Sequence, residues 1–501
     1  MDILPDLRLP RVTQSARILT RNAINALDQV IVVLPKAPSA ADFRRVPQAN
    51  QIKALFARTK EGDPVFTRFA NPRGTGLTVA RFDGATRFAQ LSWARKLIAI
   101  ARRDKPSSLG ILAVGLDEPE ELQALTALVL SALAASFEMP SFKSERKHER
   151  ALTAIRLFAV GAQLPLAELC AWALGNNVAR WFTALPPNEL TAKTYRNALR
   201  SLSKEFGLSF EFLDERKLSR LGAGAFLAVS QGNSDRDAGI VRLRHAPARG
   251  KKPELCLVGK GILFDTGGTN LKPFTSMLDM HTDMQGSAVA LGSLIALATL
   301  EVPYGVEAWL SITENRISAT AYKSQDLVRA ANGTTIQVIH TDAEGRMVLA
   351  DTLALAAREQ PAMIIDYATL TGACIGALTE RYSGVFSNRS AANALLRRAG
   401  EACGERVWPF PMDADFDDAL RSDIADVKQC ATSGSGDHIL AARFLARFVP
   451  TSIPWVHLDL SAGQKKEGLA HIPTEITGFG VGLTLELLRE NTPTALAKQL
   501  A

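Results

Sequence analysis

With 501 residues, 47% of them hydrophobic and 22% charged, the chain has the composition of a folded protein and is far from that of a disordered one. Its formal charge of +7 is spread without long basic blocks, which argues against nucleic acid as the main partner, and no apolar run reaches the ~18 residues that span a membrane. Five cysteines, odd in number and without CxxC spacing, exclude a disulfide framework or structural zinc site and fit a reducing cytoplasm.

The opening "MDILPDLRLPRV" carries acids and prolines where a secretory signal has a basic and then an apolar region, so a cytoplasmic location is expected. Strand-like runs "VIVVLP", "GLTVARF" and "GILAVGL" then alternate with amphipathic segments "FAQLSWARKLIAIARR" and "ELQALTALVLSALAASF". This predicts a smaller N-terminal α/β domain over residues 1–165. The charged run "KSERKHER" reads as a solvated stretch, His148 included. The apolar "ALTAIRLFAVGAQLPLAELCAWALG" after it reads as helix and, with the loop "TALPPNELT", places a linker at 166–190.

Residues 191–501 form the predicted larger domain. "SFEFLD", "ELCLVGKG", "GVEAWLSI" and "AMIIDYATL" read as buried strands, with helical patterns such as "GSAVALGSLIALATLE" and "GRMVLADTLALAAREQ" between them. The alternation predicts an α/β fold with a mixed, mostly parallel sheet flanked by helices.

In open α/β sheets ligands gather beyond the carboxyl ends of strands, and here those positions are acidic. Lys260 and Asp265 follow "ELCLVG", Lys272 follows in "TNLKP", and Asp283 precedes a helical pattern. Asp342, Glu344 and Arg346 follow "TTIQVI". Singly, each has a bland reading: Asp283 as a helix N-cap, the glycines Gly267 and Gly268 as turn residues. The concentration does not. Four carboxylates at strand ends of one sheet repel unless cations lie among them, and two lysines cannot neutralise four carboxylates. Oxygen ligands with a nitrogen donor suit two divalent ions sharing carboxylates. On an extended segment Asp342 and Glu344, two apart, would point into the same site. Burial beside cations would lower a lysine pKa and open ligation or electrostatic help to it.

The segment His340-Thr341-Asp342-Ala343-Glu344-Gly345-Arg346 resembles the signature of the leucyl aminopeptidases, usually Asn-Thr-Asp-Ala-Glu-Gly-Arg. "VGKGILFDTGGTNLKP", "DMHTDMQGSA" and "DYATLTGAC" are similar to that family's lysine and aspartate loop, its second metal-aspartate turn and its substrate-pocket strand. The resemblance runs from "ALPPNELT" to "TGFGVGLTLELL". It implies a hexameric exopeptidase that hydrolyses the N-terminal residue of short peptides through a metal-bridging water, with two divalent ions, manganese or zinc, per subunit. By motif position Asp265 and Glu344 would bridge both ions, Lys260 and Asp283 would complete the tighter site, and Asp342 would bind the exchangeable ion. Lys272 would polarise the scissile carbonyl, and Arg346 would hold a bicarbonate acting as general base. Met280, His340, Thr369, Leu370, Thr371 and Gly372 would line or border the pocket for the N-terminal side chain.

The chain departs from the family pattern where His340 replaces Asn, where Thr269-Asn270 replace Ile-Ser, and in the loop "YKSQDLV". These changes leave the aligned ligands intact. His281 and His340 read as pocket-lining or supporting residues, and His438 and His457 as structural ones. The alternatives are a hexameric DNA-binding or regulatory protein with secondary peptidase activity, and a catalytically silent paralogue.

Overall fold

The computed structural model describes residues 3–60, 62–144, 151–247 and 252–500, so His148 lies outside the described residues. The chain divides into two units, one of residues 7–173 with 466–475, the other of 174–465 with 476–501 and the opening residues to Asp6.

The first unit holds a six-stranded sheet in the order Arg11–Ser15, Ala154–Phe158, Ser108–Ala113, Gln29–Leu34, Gly76–Arg81, Val65–Arg68. All neighbours are parallel except the last pair. Its central strand shows why an unbroken apolar run belongs there. Val30, Val32 and Leu34 enter one core cluster with Ile52 and Phe56, while Ile31 and Val33 enter another with residues of the helices Arg87–Ala101 and Glu118–Ser136. Successive side chains of a strand point to opposite faces, so both faces must be apolar when both are covered. Thr86 and Asp117 cap the two helices, each accepting from a main-chain N–H three residues on.

Within the segment read as one long helix, Ala154–Phe158 is instead a strand, and the helix begins only at Leu166, just after Pro165. The strand's own period gives it away: Ile155 and Leu157 are buried while Arg156 between them is exposed.

The second unit is built on an eight-stranded mixed sheet in the order Val407–Pro409, Ser383–Ser387, Trp455–Asp459, Met363–Ala368, Leu255–Asp265, Val306–Asn315, Gly239–His245, Ser209–Asp214. The strands from Trp455–Asp459 to Val306–Asn315 run parallel at its centre, with antiparallel neighbours on both flanks. "SFEFLD" is the outer strand Ser209–Asp214 and is largely exposed or half-buried, not buried throughout.

Two helices cover the centre on opposite faces. Cys256, Val258 and Ile262 share a cluster with Met347, Leu349 and Leu353 of the helix Glu344–Ala357. Against the alternate positions lies the helix Gln285–Thr299, packed so closely that a Cβ on Gly259 would stand 2.4 Å from Ser287 Cα. A Cβ on Gly286 would stand 2.1 Å from the Tyr367 carbonyl oxygen. Glycine at these two places lets the helix start lie directly on the sheet.

"TTIQVI" does not belong to this sheet. Thr335–Gln337 pairs with Leu327–Arg329 and Val427–Lys428 in a separate three-stranded sheet. Among the described residues, no helix is long and apolar enough to cross a membrane.

Candidate metal centre

The strand Leu255–Asp265 delivers two groups, Lys260 within it and Asp265 at its end. Gly267 and Gly268 follow with φ of 86° and 67°, a left-handed pair that turns the chain back on itself. The return brings Lys272 Nζ to 2.9 Å from Asp265 Oδ2 and 2.5 Å from Asp342 Oδ1. Gly267 is also needed for space, since a Cβ there would lie 2.9 Å from Asp342 Oδ1.

Asp283 follows the short 3-10 turn Met280–Thr282 and does not cap the helix Gln285–Thr299, whose N-cap is Met284. Its Oδ1 accepts from Lys260 Nζ at 2.8 Å and from Thr369 Oγ1 at 2.7 Å. Its Oδ2 is buried and has no hydrogen-bond partner.

Asp342 and Glu344 do come together, for a different reason from the one expected. The segment is a turn, not an extended strand, and Glu344 is the first residue of the helix Glu344–Ala357. They reach the Asp265 side from the small sheet, so the four carboxylates do not stand at strand ends of one sheet. Ligand oxygens of Asp265, Asp342 and Glu344 lie within 4.8 Å of one another. Lys260 Nζ completes the cluster at 3.0 Å from Glu344 Oε1.

Lys260, Asp265, Asp283 and Glu344 are all buried, and the electrostatics follow from that. Burial, reinforced by Asp265, pushes the Glu344 carboxyl up to about 8, and burial pushes Asp283 up to about 6 against the pull of Lys260. Burial also opposes the charge of Lys260, but Asp283, Glu344 and Asp265 outweigh it and hold the ammonium above the usual lysine range. Lys272 is raised in the same way, with Asp265 foremost among its neighbours. Without ions, both lysines are thus held charged by the carboxylates around them. The cluster retains more carboxylate than its lysines balance, with one buried carboxylate oxygen unpartnered. That donor set, oxygen-rich with an amine, fits divalent cations.

This arrangement is held by Asn315 and Gln429, which the sequence reading passed over, and by Asn270 and Thr341, which it named only as parts of the family pattern. Asn315 ends the strand beside Asp265 and donates from Nδ2 to Asp265 Oδ1 at 2.7 Å and to the Thr341 carbonyl at 3.0 Å. Asn270 and Thr341 clasp each other: the Asn270 main-chain N–H donates to Thr341 Oγ1, and the Thr341 N–H to Asn270 Oδ1. Gln429, fully buried, accepts at Oε1 from the N–H groups of Ile339 and His340 and donates from Nε2 to the Ala343 carbonyl. Asn315 was the one within reach of a sequence signal, since it stands at a strand end. Uncharged, it drew no notice.

Arg346 is buried with its NH2 donating to both carboxylate oxygens of Asp437, at 2.9 and 2.8 Å, and its NH1 to the Gln429 carbonyl at 3.2 Å. Of the residues expected at the pocket, Thr369 touches the cluster through Asp283, and its carbonyl accepts from Lys260 Nζ. Leu370 and Thr371 are fixed by Asp459, which accepts from both of their N–H groups and from Thr371 Oγ1. Gly372 is exposed, with open space where a Cβ would stand, and Met280 is half-buried in the turn that leads to Asp283. His340 is exposed, its Nδ1 accepting from the Asp342 N–H at 3.3 Å. His457 is buried and has its Nδ1 paired with Asp366 Oδ1 at 2.6 Å.

Residues 177–485 match the family described as cytosol aminopeptidase family, catalytic domain. A probable cytosol aminopeptidase of Syntrophotalea carbinolica is 39% identical over 377 residues, covering 74% of this chain and 75% of its own length. A mutant leucine aminopeptidase from tomato superposes with a TM-score of 0.84 at 26% identity, covering 97% of this chain and 98% of its own. The bottromycin maturation enzyme BotP, solved in complex with Mn, superposes with a TM-score of 0.77 at 27% identity, covering 92% and 99%.

Proposed function

The chain belongs to the cytosol aminopeptidase family and is a metal-dependent enzyme that removes N-terminal residues, and from that premise we propose how its own residues divide the work. The observation that carries the proposal is the convergence of Lys260, Asp265, Asp283, Asp342 and Glu344, from two different sheets and the turns beside them, into one buried cluster.

Asp265 and Glu344 would bridge two divalent ions, Lys260 and Asp283 would complete one site, and Asp342 would serve the other, more exchangeable one. Such ions supply Lewis acidity toward a carbonyl and lower the pKa of water. Manganese and zinc both suit this donor set, and the BotP neighbour was solved with Mn. Lys272 stands over Asp265 and Asp342 with a persistent ammonium, placed to polarise the scissile carbonyl and stabilise the oxyanion. Thr369, which touches Asp283, would line the place of the N-terminal side chain of a short peptide together with Leu370, Thr371, Gly372 and Met280, and His340, which accepts from the Asp342 N–H, would border it. A bicarbonate at Arg346, which the resemblance implies, would have to displace the Asp437 carboxylate.

A homohexamer and a cytoplasmic location complete the reading. They rest on the resemblance, on the cysteine usage and on relatives named cytosol aminopeptidases. The DNA-binding alternative draws no support from these matches.

The test is hydrolysis of aminoacyl anilides and short peptides by protein loaded with manganese or zinc, against a chelated control and an N-acetylated peptide. Release of the first residue only from the free-amine substrates is the expected result. Inactivity across metals and substrates would overturn it.

A further inference from the structure

The guanidinium of Arg346 leaves a dissolved anion a single free donor, its buried Nε–H, which has no hydrogen-bond partner. NH2 is taken by both oxygens of Asp437 and NH1 by the Gln429 carbonyl. Bidentate capture of a carboxylate-like ion needs two parallel N–H bonds from one edge of the fork, and both two-donor edges use NH2, which is already given to the Asp437 carboxylate. The fit of bicarbonate to these residues therefore fails unless Asp437 withdraws.

Asp437 is delivered by design of the local chain. The loop before it turns through Gly434 and Gly436, with φ of 108° and 84°, and Gly436 is the N-cap of the helix Asp437–Ala446. Asp437 thus opens that helix, where the exposed N–H groups also favour a negative charge. The two partners differ in access: the Asp437 side chain is 46% exposed and that of Arg346 only 2%. Arg346 cannot swing out to seek another anion, whereas the place of the Asp437 carboxylate is open to solvent.

We propose that Asp437 is the built-in anion of this site, a positioning residue whose carboxylate occupies on Arg346 the place a bicarbonate would take, so that the enzyme works without bicarbonate. The inference rests on reading the carboxylate cluster as the centre of an aminopeptidase. Arg346 lies two residues beyond Glu344, whose carboxylate, with that of Asp437, favours the charged guanidinium. Two anions on one fork repel, so bicarbonate and Asp437 exclude each other, and removal of Asp437 creates the bicarbonate site.

The experiment compares the metal-loaded wild type with Asp437→Asn and Asp437→Ala in carbonate-free buffer, titrating bicarbonate while following hydrolysis and, separately, the line width of carbon-13-labelled bicarbonate. Asn keeps the size of the side chain and removes only its charge, so at least one variant reports on a folded protein. The wild-type rate should stay within about twofold throughout, with no saturable binding. Both variants should lose about tenfold or more in kcat, regain it as bicarbonate is added, and broaden the labelled signal saturably. Acceleration of the wild type by bicarbonate would overturn the inference, as would variants that bind none. An inactive wild type would count against the aminopeptidase reading, while the labelled-bicarbonate measurement would still decide this one.

Discussion

Asn315 and Asp265 face each other across adjacent parallel strands, and Asn315 Nδ2 donates to Asp265 Oδ1 at 2.7 Å. The amide holds one oxygen of that carboxylate, along with the Gly267 N–H, and leaves the other to Lys272 and to any ion. Groups that orient a ligand in this way are typically worth 10–100-fold in affinity, roughly, when removed. Asn315→Ala should therefore weaken metal binding by about that factor, read by competition with a chromophoric chelator, with little change in secondary structure. Unaltered affinity would show that the hydrogen bond only follows the geometry.

The proposed division of ligands has a stoichiometric signature. Glu344→Ala and Asp265→Ala should leave no bound metal after dialysis, because each removes a bridge. Asp342→Ala should retain one equivalent. Arg346→Ala should keep both equivalents and lower kcat, by about a hundredfold for the loss of a buried cation near the developing charge. Metal analysis by mass spectrometry decides each case, and loss of metal in Arg346→Ala would refute the role given to that residue.

Gly286 sits where the helix Gln285–Thr299 meets the sheet, with its missing Cβ 2.1 Å from the Tyr367 carbonyl and 2.9 Å from Lys260 N. Gly286→Ala must push the helix away from the strand and carry Asp283 with it. A cost of about 1–3 kcal/mol in stability is expected from such overpacking, together with weaker metal binding. Urea unfolding and metal titration together check this, and an unchanged midpoint would mean the sheet yields without strain.

Glu405 carries a stability that depends on pH. Its carboxylate is buried and accepts from the N–H groups of Gly480, Gly482 and Leu483, at 2.8, 3.3 and 2.8 Å. Burial pushes its pKa up to about 7 against the pull of those donors, from 4.5 for a free carboxyl. The folded state thus holds this proton more tightly than the unfolded chain. Its contribution is fully present below the unfolded value and is lost as pH rises through the folded one. Glu405→Gln fixes the neutral state, so its stability relative to wild type should improve by about 1–3 kcal/mol between about pH 5 and about pH 8. A relative stability that falls over that range would show the charged form to be the favoured one.

The cluster was legible in the sequence because charge is conspicuous: carboxylates just beyond apolar runs mark a site even before the turns that join them are known. The reasons for its convergence were less so. Asp342 and Glu344 were assigned to the main sheet because Thr335–Gln337 looks like any short strand, and only tertiary pairing puts it in the small sheet. Asp283 had the form of an N-cap, and what overrides that form is Lys260, close in space though distant along the chain. Ala154–Phe158 was absorbed into a helical reading because its five-residue alternation runs without a charged break into the apolar helix that follows Pro165. Asn315 and Gln429 were hidden by chemistry: an amide carries no net charge, and its partners lie in other loops. Asp437 reads in one dimension as an ordinary acid opening a helix, and only Arg346 gives it another meaning.

The lysine ammonium groups within the cluster bear on how the protein is made. Without ions, a bare nest of acids at the centre of the chain would resist closing. Lys260 between Asp283 and Glu344, and Lys272 between Asp265 and Asp342, act as placeholders that let the nest close first. Maturation then becomes an exchange, in which protons leave as ions enter. It is reversible in principle, so a chelator should return a folded, refillable protein rather than an unfolded one.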